Sequence, residues 1–129
     1  MPVYDRLNEF SNGQSIVGSV GSIVSSDVVD FGVASVFHVN PPELHVEIEE
    51  AVLSGGAATV NVILEHSDDN STFSTLAQSG AIGKADLVKG YKPAIAVPKT
   101  HKRYLGLKYT IAVAATTAGK VNSYLYPRG

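Results

Sequence analysis

The chain has 129 residues, 44% hydrophobic and 17% charged, a formal net charge of −2, and neither cysteine nor tryptophan. That length supports one compact domain rather than two. The charge provides no field to draw in a phosphate backbone, the lack of cysteine excludes disulfides and thiolate metal sites, and no apolar run approaches the roughly 18 residues that cross a bilayer.

The opening MPVYDRLNEF lacks the apolar centre of a signal peptide, so synthesis in a cytoplasm is expected. Twelve glycines, six prolines and many Val, Ser and Thr residues predict short strands joined by turns. Residues 1–22, dotted with Ser11-Asn12-Gly13 and Gly18-Ser19-Val20-Gly21, read as an extended N-terminal arm, either a poorly ordered terminus or a segment that orders only along a neighbouring subunit. Residues 23–129 are expected to form the domain proper.

Val24 to Gly32 predicts a first short strand, in which Asp27 and Asp30 lack the further carboxylates of a calcium loop and are assigned no ion. Pro41-Pro42 marks a corner. Leu44, Val46 and Ile48 alternate with His45, Glu47 and Glu49, the pattern of a strand with one dry face. The apolar phase then shifts over Glu50 to Leu53, which predicts a bulge, and Val60, Val62 and Leu64 resume the alternation after Gly55-Gly56. Leu44 to Glu65 is therefore expected to be a hairpin.

His66 to Thr72 is acidic but lacks the glycine and closing glutamate of a calcium loop, and reads as a solvated turn with Phe73 and Leu76 packing beside it. Ser79-Gly80 and Ile82-Gly83 read as a second turn region. Ala94 to Val97 is an apolar piece stopped by Pro98, and Lys99 to Arg103 is a short basic loop. In the last stretch Leu105, Leu107, Tyr109, Ile111 and Val113 alternate with small or polar residues. With Gly119 at the bend and Val121 to Leu125 returning, Arg103 to Tyr126 predicts a closing antiparallel hairpin. The sum is an all-β fold, a sandwich or barrel.

The residue types of catalytic and metal constellations occur, but not in the spacing such sites use. His38, His45, His66 and His101 are scattered without ligand spacing. No serine occupies a nucleophile elbow, and Gly80-Ala81-Ile82-Gly83-Lys84 lacks the first glycine and final hydroxyl of a P-loop. Glu47, Glu49, Glu50 and Glu65 are positioned to crowd onto one surface, but no tryptophan accompanies them to grip a sugar. No catalytic, cofactor-binding or metal-binding residue is assigned, and the chain is expected not to be an enzyme.

The order of Ser25 to Gly32 (SSDVVDFG), Leu44 to Ile48, Thr59 to Val62, Glu65 to Asn70, Val97-Pro98, Arg103 to Tyr109 and Thr117 to Val121 resembles the capsid cement, or decoration, proteins of tailed bacteriophages. The likeness is to the Bordetella-phage-type family in particular, over residues 23 to 126. It implies a jelly-roll-like antiparallel β-sandwich that assembles as a homo-oligomer, dimer or trimer, on the outer surface of the icosahedral capsid in the virion. There it would clamp neighbouring major capsid proteins, without cofactor, nucleic acid or membrane. The rival reading is a carbohydrate- or receptor-binding jelly-roll module of a tail or spike, using Tyr91, Tyr104, Tyr124 or Tyr126 as stacking platforms.

Overall fold

The structure, a computed structural model, describes residues 9–25, 28–30, 35–36, 43–93, 95, 97–98 and 100–126. Ten strands follow one another: β1 (Glu9–Ser15), β2 (Gly21–Val24), β3 (Val29–Asp30), β4 (Ser35–Val36), β5 (Glu43–Ser54), β6 (Thr59–Ser67), β7 (Ser74–Gly83), β8 (Thr100–His101), β9 (Tyr104–Ala112) and β10 (Thr116–Tyr126). All pairings are antiparallel, and no helix occurs among the described residues. One sheet has the order β1-β10-β5 and the other β2-β9-β6-β7, with β3 also on β9; β4 and β8 form a separate pair.

The two sheets close face to face as a sandwich. From the first come Phe10, Ile16, Val46, Ile48, Val52, Val121 and Leu125, and from the second Val60, Val62, Leu64, Leu105, Leu107, Tyr109 and Ile111, all in one buried cluster. Each fully buried aliphatic side chain contributes roughly 1.5–3 kcal/mol, so this interior, with Leu87 and Val97 added from the connections, carries the stability of a chain without disulfides.

Both expected hairpins are corrected. β9 and β10 do not pair: β9 lies between β2 and β6, and β10 between β1 and β5. The chain crosses from sheet to sheet over Val113–Ala115 rather than at Gly119, and β5 and β6 are likewise joined across the sandwich. An alternating stripe specifies which face of a strand is dry but not which strand lies beside it. Two stripes facing each other across a core read the same as two stripes side by side. Gly119 instead sits inside β10 at φ +147°, where an added Cβ would stand 3.0 Å from Val52 and 3.1 Å from Ile16.

The predicted bulge is present, since Lys120 pairs with Glu50 while Val121 pairs with Ile48. Ser79 to Gly83 is strand rather than turn, with a register shift opposite Asn61 and Ile63, and the turn begins at Lys84. The first predicted strand is split into β2 and β3. Asp27, Phe31 to Gly32, His38 and the Pro41-Pro42 corner lie outside the described residues.

The expected arm is also revised from residue 9 onward. β1 pairs with β10 from Glu9↔Tyr124 to Ser15↔Lys120, Phe10 and Ile16 are fully buried, and β2 pairs with β9. Two well-placed apolar side chains anchor a polar segment because its backbone groups complete the sheet.

The polar appearance of β1 has a cause in the core. Tyr109 of β9 is fully buried and its hydroxyl reaches across to the opposite sheet, 2.9 Å from Ser11 Oγ on β1 and 2.8 Å from Ser123 Oγ on β10. Ser11 spends its one hydrogen on Gln14 Oε1, so Tyr109 donates to Ser11 and Ser123 donates to Tyr109. Gln14 Nε2 continues the chain to the Val24 carbonyl at 2.7 Å, returning to the second sheet.

Burial pushes the Tyr109 hydroxyl above the usual tyrosine pKa, and the bonds with Ser11 and Ser123 pull it partly back. The folded chain holds this proton where the unfolded chain has lost it. Its stabilising effect is complete below the unfolded value of about 10 and disappears as pH rises through the folded one. Tyr109→Phe is expected to cost about 1–2 kcal/mol at neutral pH in urea unfolding, and to flatten the alkaline fall in stability above about pH 10. Alkaline curves that run parallel in the two proteins would remove Tyr109 from that role.

Candidate functional surfaces

The ionisable residues singled out by sequence are dispersed by the fold. His45 stacks near Tyr124, ring centroids 4.8 Å apart, with Nε2 3.8 Å from Glu47; His66 Nδ1 accepts the Lys102 N–H at 3.3 Å on the other sheet. His101 lies in β8. Among the described residues no three His, Cys, Asp or Glu side chains gather at metal-binding distance. Glu50 meets Lys120 at 3.9 Å, and Glu47, Glu49 and Glu50 all belong to β5 while Glu65 belongs to β6 in the opposite sheet. The four glutamates therefore share no surface.

The tyrosines do not form one platform either. Tyr104 carries the Arg103 guanidinium 4.9 Å from its ring centroid, Tyr124 is on the other sheet beside His45, and the Tyr91 carbonyl accepts the Ile48 N–H along the edge of β5. Tyr126 ends β10. In the basic loop, Lys102 faces Asp68 at 3.7 Å.

What the fold does concentrate is exposed apolar surface at one end. Thr116 bridges Gly18 and pairs with Ser54, and the Ser54 hydroxyl donates to the Ala115 carbonyl at 2.6 Å. Segments 17–20, 53–56 and 113–116 therefore lie side by side. On them stand Val17, Val20, Leu53 and Val113, with Val113 72% exposed. Alternation places Val113 on the dry face, but β9 ends at Ala112 and the turn swings this side chain outward.

The turn is an unusual one. Ala114 N–H donates to the Ala112 carbonyl at 2.9 Å and Val113 has φ +74°, which makes a γ-turn of the rare positive-φ kind around a β-branched residue. It is packed from below: an added Cβ at Gly56 would stand only 2.8 Å from Ala114 Cβ. The neighbouring turn thus holds the strained valine in place.

A second surface is the outer edge of β7. This edge strand reads STLAQSGAIG over Ser74–Gly83, with no charge and no proline, and among the described residues only β6 pairs with it. In the other sheet the edge strand β5 is covered, since Gly90 N–H donates to the Ile48 carbonyl at 2.8 Å and Val52 N–H to the Leu87 carbonyl at 2.9 Å. Edge strands usually carry charges or proline that prevent a further strand from pairing; β7 carries neither.

The turn between β6 and β7 is built around Asp69, as the solvated-turn reading expects. Asp69 Oδ1 accepts the N–H groups of Ser71 and Thr72, each at 2.9 Å, and the Ser67 hydroxyl at 2.8 Å. The buried Ser67 oxygen in turn accepts the N–H groups of Asp69 and Asn70. Both side chains are consumed within the turn.

In comparisons with known proteins, the family model Bbp16 matches residues 10–125, and no curated protein matches the chain.

The Thr72 and Ser71 N–H groups, followed by the Ser67 hydroxyl, hold the Asp69 carboxyl down at about 2. Its folded pKa is depressed, so the turn is fully stabilised above the unfolded value of about 3.8 and loosens as pH falls through about 2. The Ser71 and Thr72 amide protons are expected to titrate in NMR spectra with a midpoint near 2, and in Asp69→Asn this acid titration should vanish. A midpoint at the ordinary aspartate value would show that the turn is not held by this carboxylate.

Proposed function

The chain belongs to the Bbp16 family, whose name suggests a Bordetella phage protein, and from that premise we propose that it is a non-enzymatic capsid cement protein of a tailed phage. In this reading it sits as a homo-oligomer on the outside of the icosahedral shell and stabilises contacts between neighbouring major capsid proteins.

The observation that carries the reading is the apolar end formed by Val17, Val20, Leu53 and Val113. Exposed apolar side chains grouped on neighbouring segments are characteristic of surfaces that another protein covers. Here they stand on the end of β5 and two short connecting segments, tied together by backbone and hydroxyl hydrogen bonds, so little loop ordering opposes binding. Backbone strain persists where the surroundings enforce it, often at a functional site. The enforced φ of Val113 fits a side chain that is displayed for contact.

The uncharged, proline-free β7 edge supports self-association. Two copies related by a two-fold axis can pair β7 with β7 antiparallel without opposing like charges. A shell repeats every contact many times, so interfaces at the small end of the usual 1,200–2,000 Å² range act together as a strong whole.

Mixed with expanded capsids that lack it, the protein is expected to co-sediment at micromolar concentration; failure to do so would sink the reading. Val113→Gly should bind capsids about tenfold more weakly, the loss from leaving one valine unburied. The same change should raise the melting temperature by a few degrees, because glycine accepts a positive φ without strain. Val113→Asp should weaken binding further with no gain in stability.

A further inference from the structure

Glu65 has no role in the account above, and its setting is unusual for a carboxylate. It lies on the outer face of β6, opposite Gly106 on β9 and Thr75 on β7, yet is only 7% exposed. Among the described residues it has one charged neighbour, Lys108, whose Nζ stands 3.4 Å from Oε2. Among the described residues no N–H or O–H donates to Oε1. A carboxylate offers about four acceptor positions, and buried ones are ordinarily satisfied by several donors.

The carboxylate, paired with Lys108 through Oε2 alone, borders a cleft. A cavity of about 300 Å³ opens against Glu65, with Val24, Val28, Phe73 and Leu107 among its walls and Asn70 at its rim. Apolar walls around one under-satisfied carboxylate fit an occupant with an aliphatic stem and a cationic, multi-donor tip. Arginine fits this better than lysine. Its planar guanidinium bonds a carboxylate through two parallel N–H groups and lies flat on an aromatic ring, and Phe73 provides the ring.

We propose that this cleft receives an arginine side chain presented by the major capsid protein, with Glu65 as its anion. The identity of the partner rests on the cement reading; the chemistry of the pocket rests on Glu65 and its walls. The apolar end and this cleft then make two separate kinds of contact, one without direction and one that specifies it.

The test has two arms. In NMR titration of the isotopically labelled protein, N-acetyl-arginine amide should shift the Gly106, Asn70 and Ser71 amides at millimolar concentration, more than N-acetyl-lysine amide does, and should leave them unmoved in Glu65→Gln. In co-sedimentation, Glu65→Gln should bind capsids at least tenfold more weakly than wild type while keeping its melting temperature within a few degrees. If the arginine amide leaves the wild-type cleft unmoved, or Glu65→Gln binds capsids as well as wild type, the inference is overturned and the cement reading stands. If Glu65→Gln instead lowers the native mass in solution, the occupant is a second copy and the proposal is overturned in that form. Wild-type protein that fails to co-sediment would overturn the cement reading itself, and this occupant with it.

Discussion

The sandwich depends on a phenol that belongs to one sheet and bonds to the other. Apolar contacts between two sheets are not directional, and a core lined with valine, leucine and isoleucine tolerates small sliding motions at little cost. The Tyr109 hydroxyl does not. It meets Ser11 and Ser123 together in one placement of the sheets, and any other leaves buried hydroxyls unpaired at about 1–3 kcal/mol each. The same contact fixes β1, since Ser11 is held from within the core while Gln14 ties it back to β2. The first strand, the last strand and the centre of the opposite sheet are thereby set by one group.

This explains how much of the fold could be read from the residues alone. Leu105 to Ile111, Val60 to Leu64 and Val46 to Ile48 announce strands with a dry face, and that face is the core in each case. Their neighbours could not be read, because period-two alternation is the same for a hairpin and for two strands facing each other across a core. The region containing β1 reads as an arm because Ser11, Gly13 and Ser15 look solvent-directed. Ser11 is in fact buried against a tyrosine far along the chain, and no local pattern reports that. Family resemblance pointed to a phage protein, which the family match supports, but it carried no contact residues. Val113 was hidden by its own stripe, and Glu65 by its resemblance to any outward glutamate on a strand.

The polar residues show a division between those used internally and those left for others. Asp69 and Ser67 are absorbed by their turn, Lys102 reaches Asp68 and Lys120 reaches Glu50. Such exposed ion pairs contribute little to stability. By contrast, the apolar end, the uncharged β7 edge and the Glu65 cleft lie on different parts of the molecule, formed by turns, an edge strand and the outer face of one sheet. The sandwich holds these three apart on a common frame.

The crossing of successive strands between sheets has a further consequence for how the molecule is made. Glu9 pairs with Tyr124, so the first sheet cannot be completed until β10 has been synthesised, and apart from the β6–β7 pair the long strands find their partners far along the sequence. Contacts of such long range slow folding to the millisecond-to-second regime and leave no half of the chain able to fold by itself. Either sheet needs residues from both the early and the late parts of the chain, which makes the domain an all-or-none unit: a nascent fragment lacks the apolar end, which comes into being only with the whole fold.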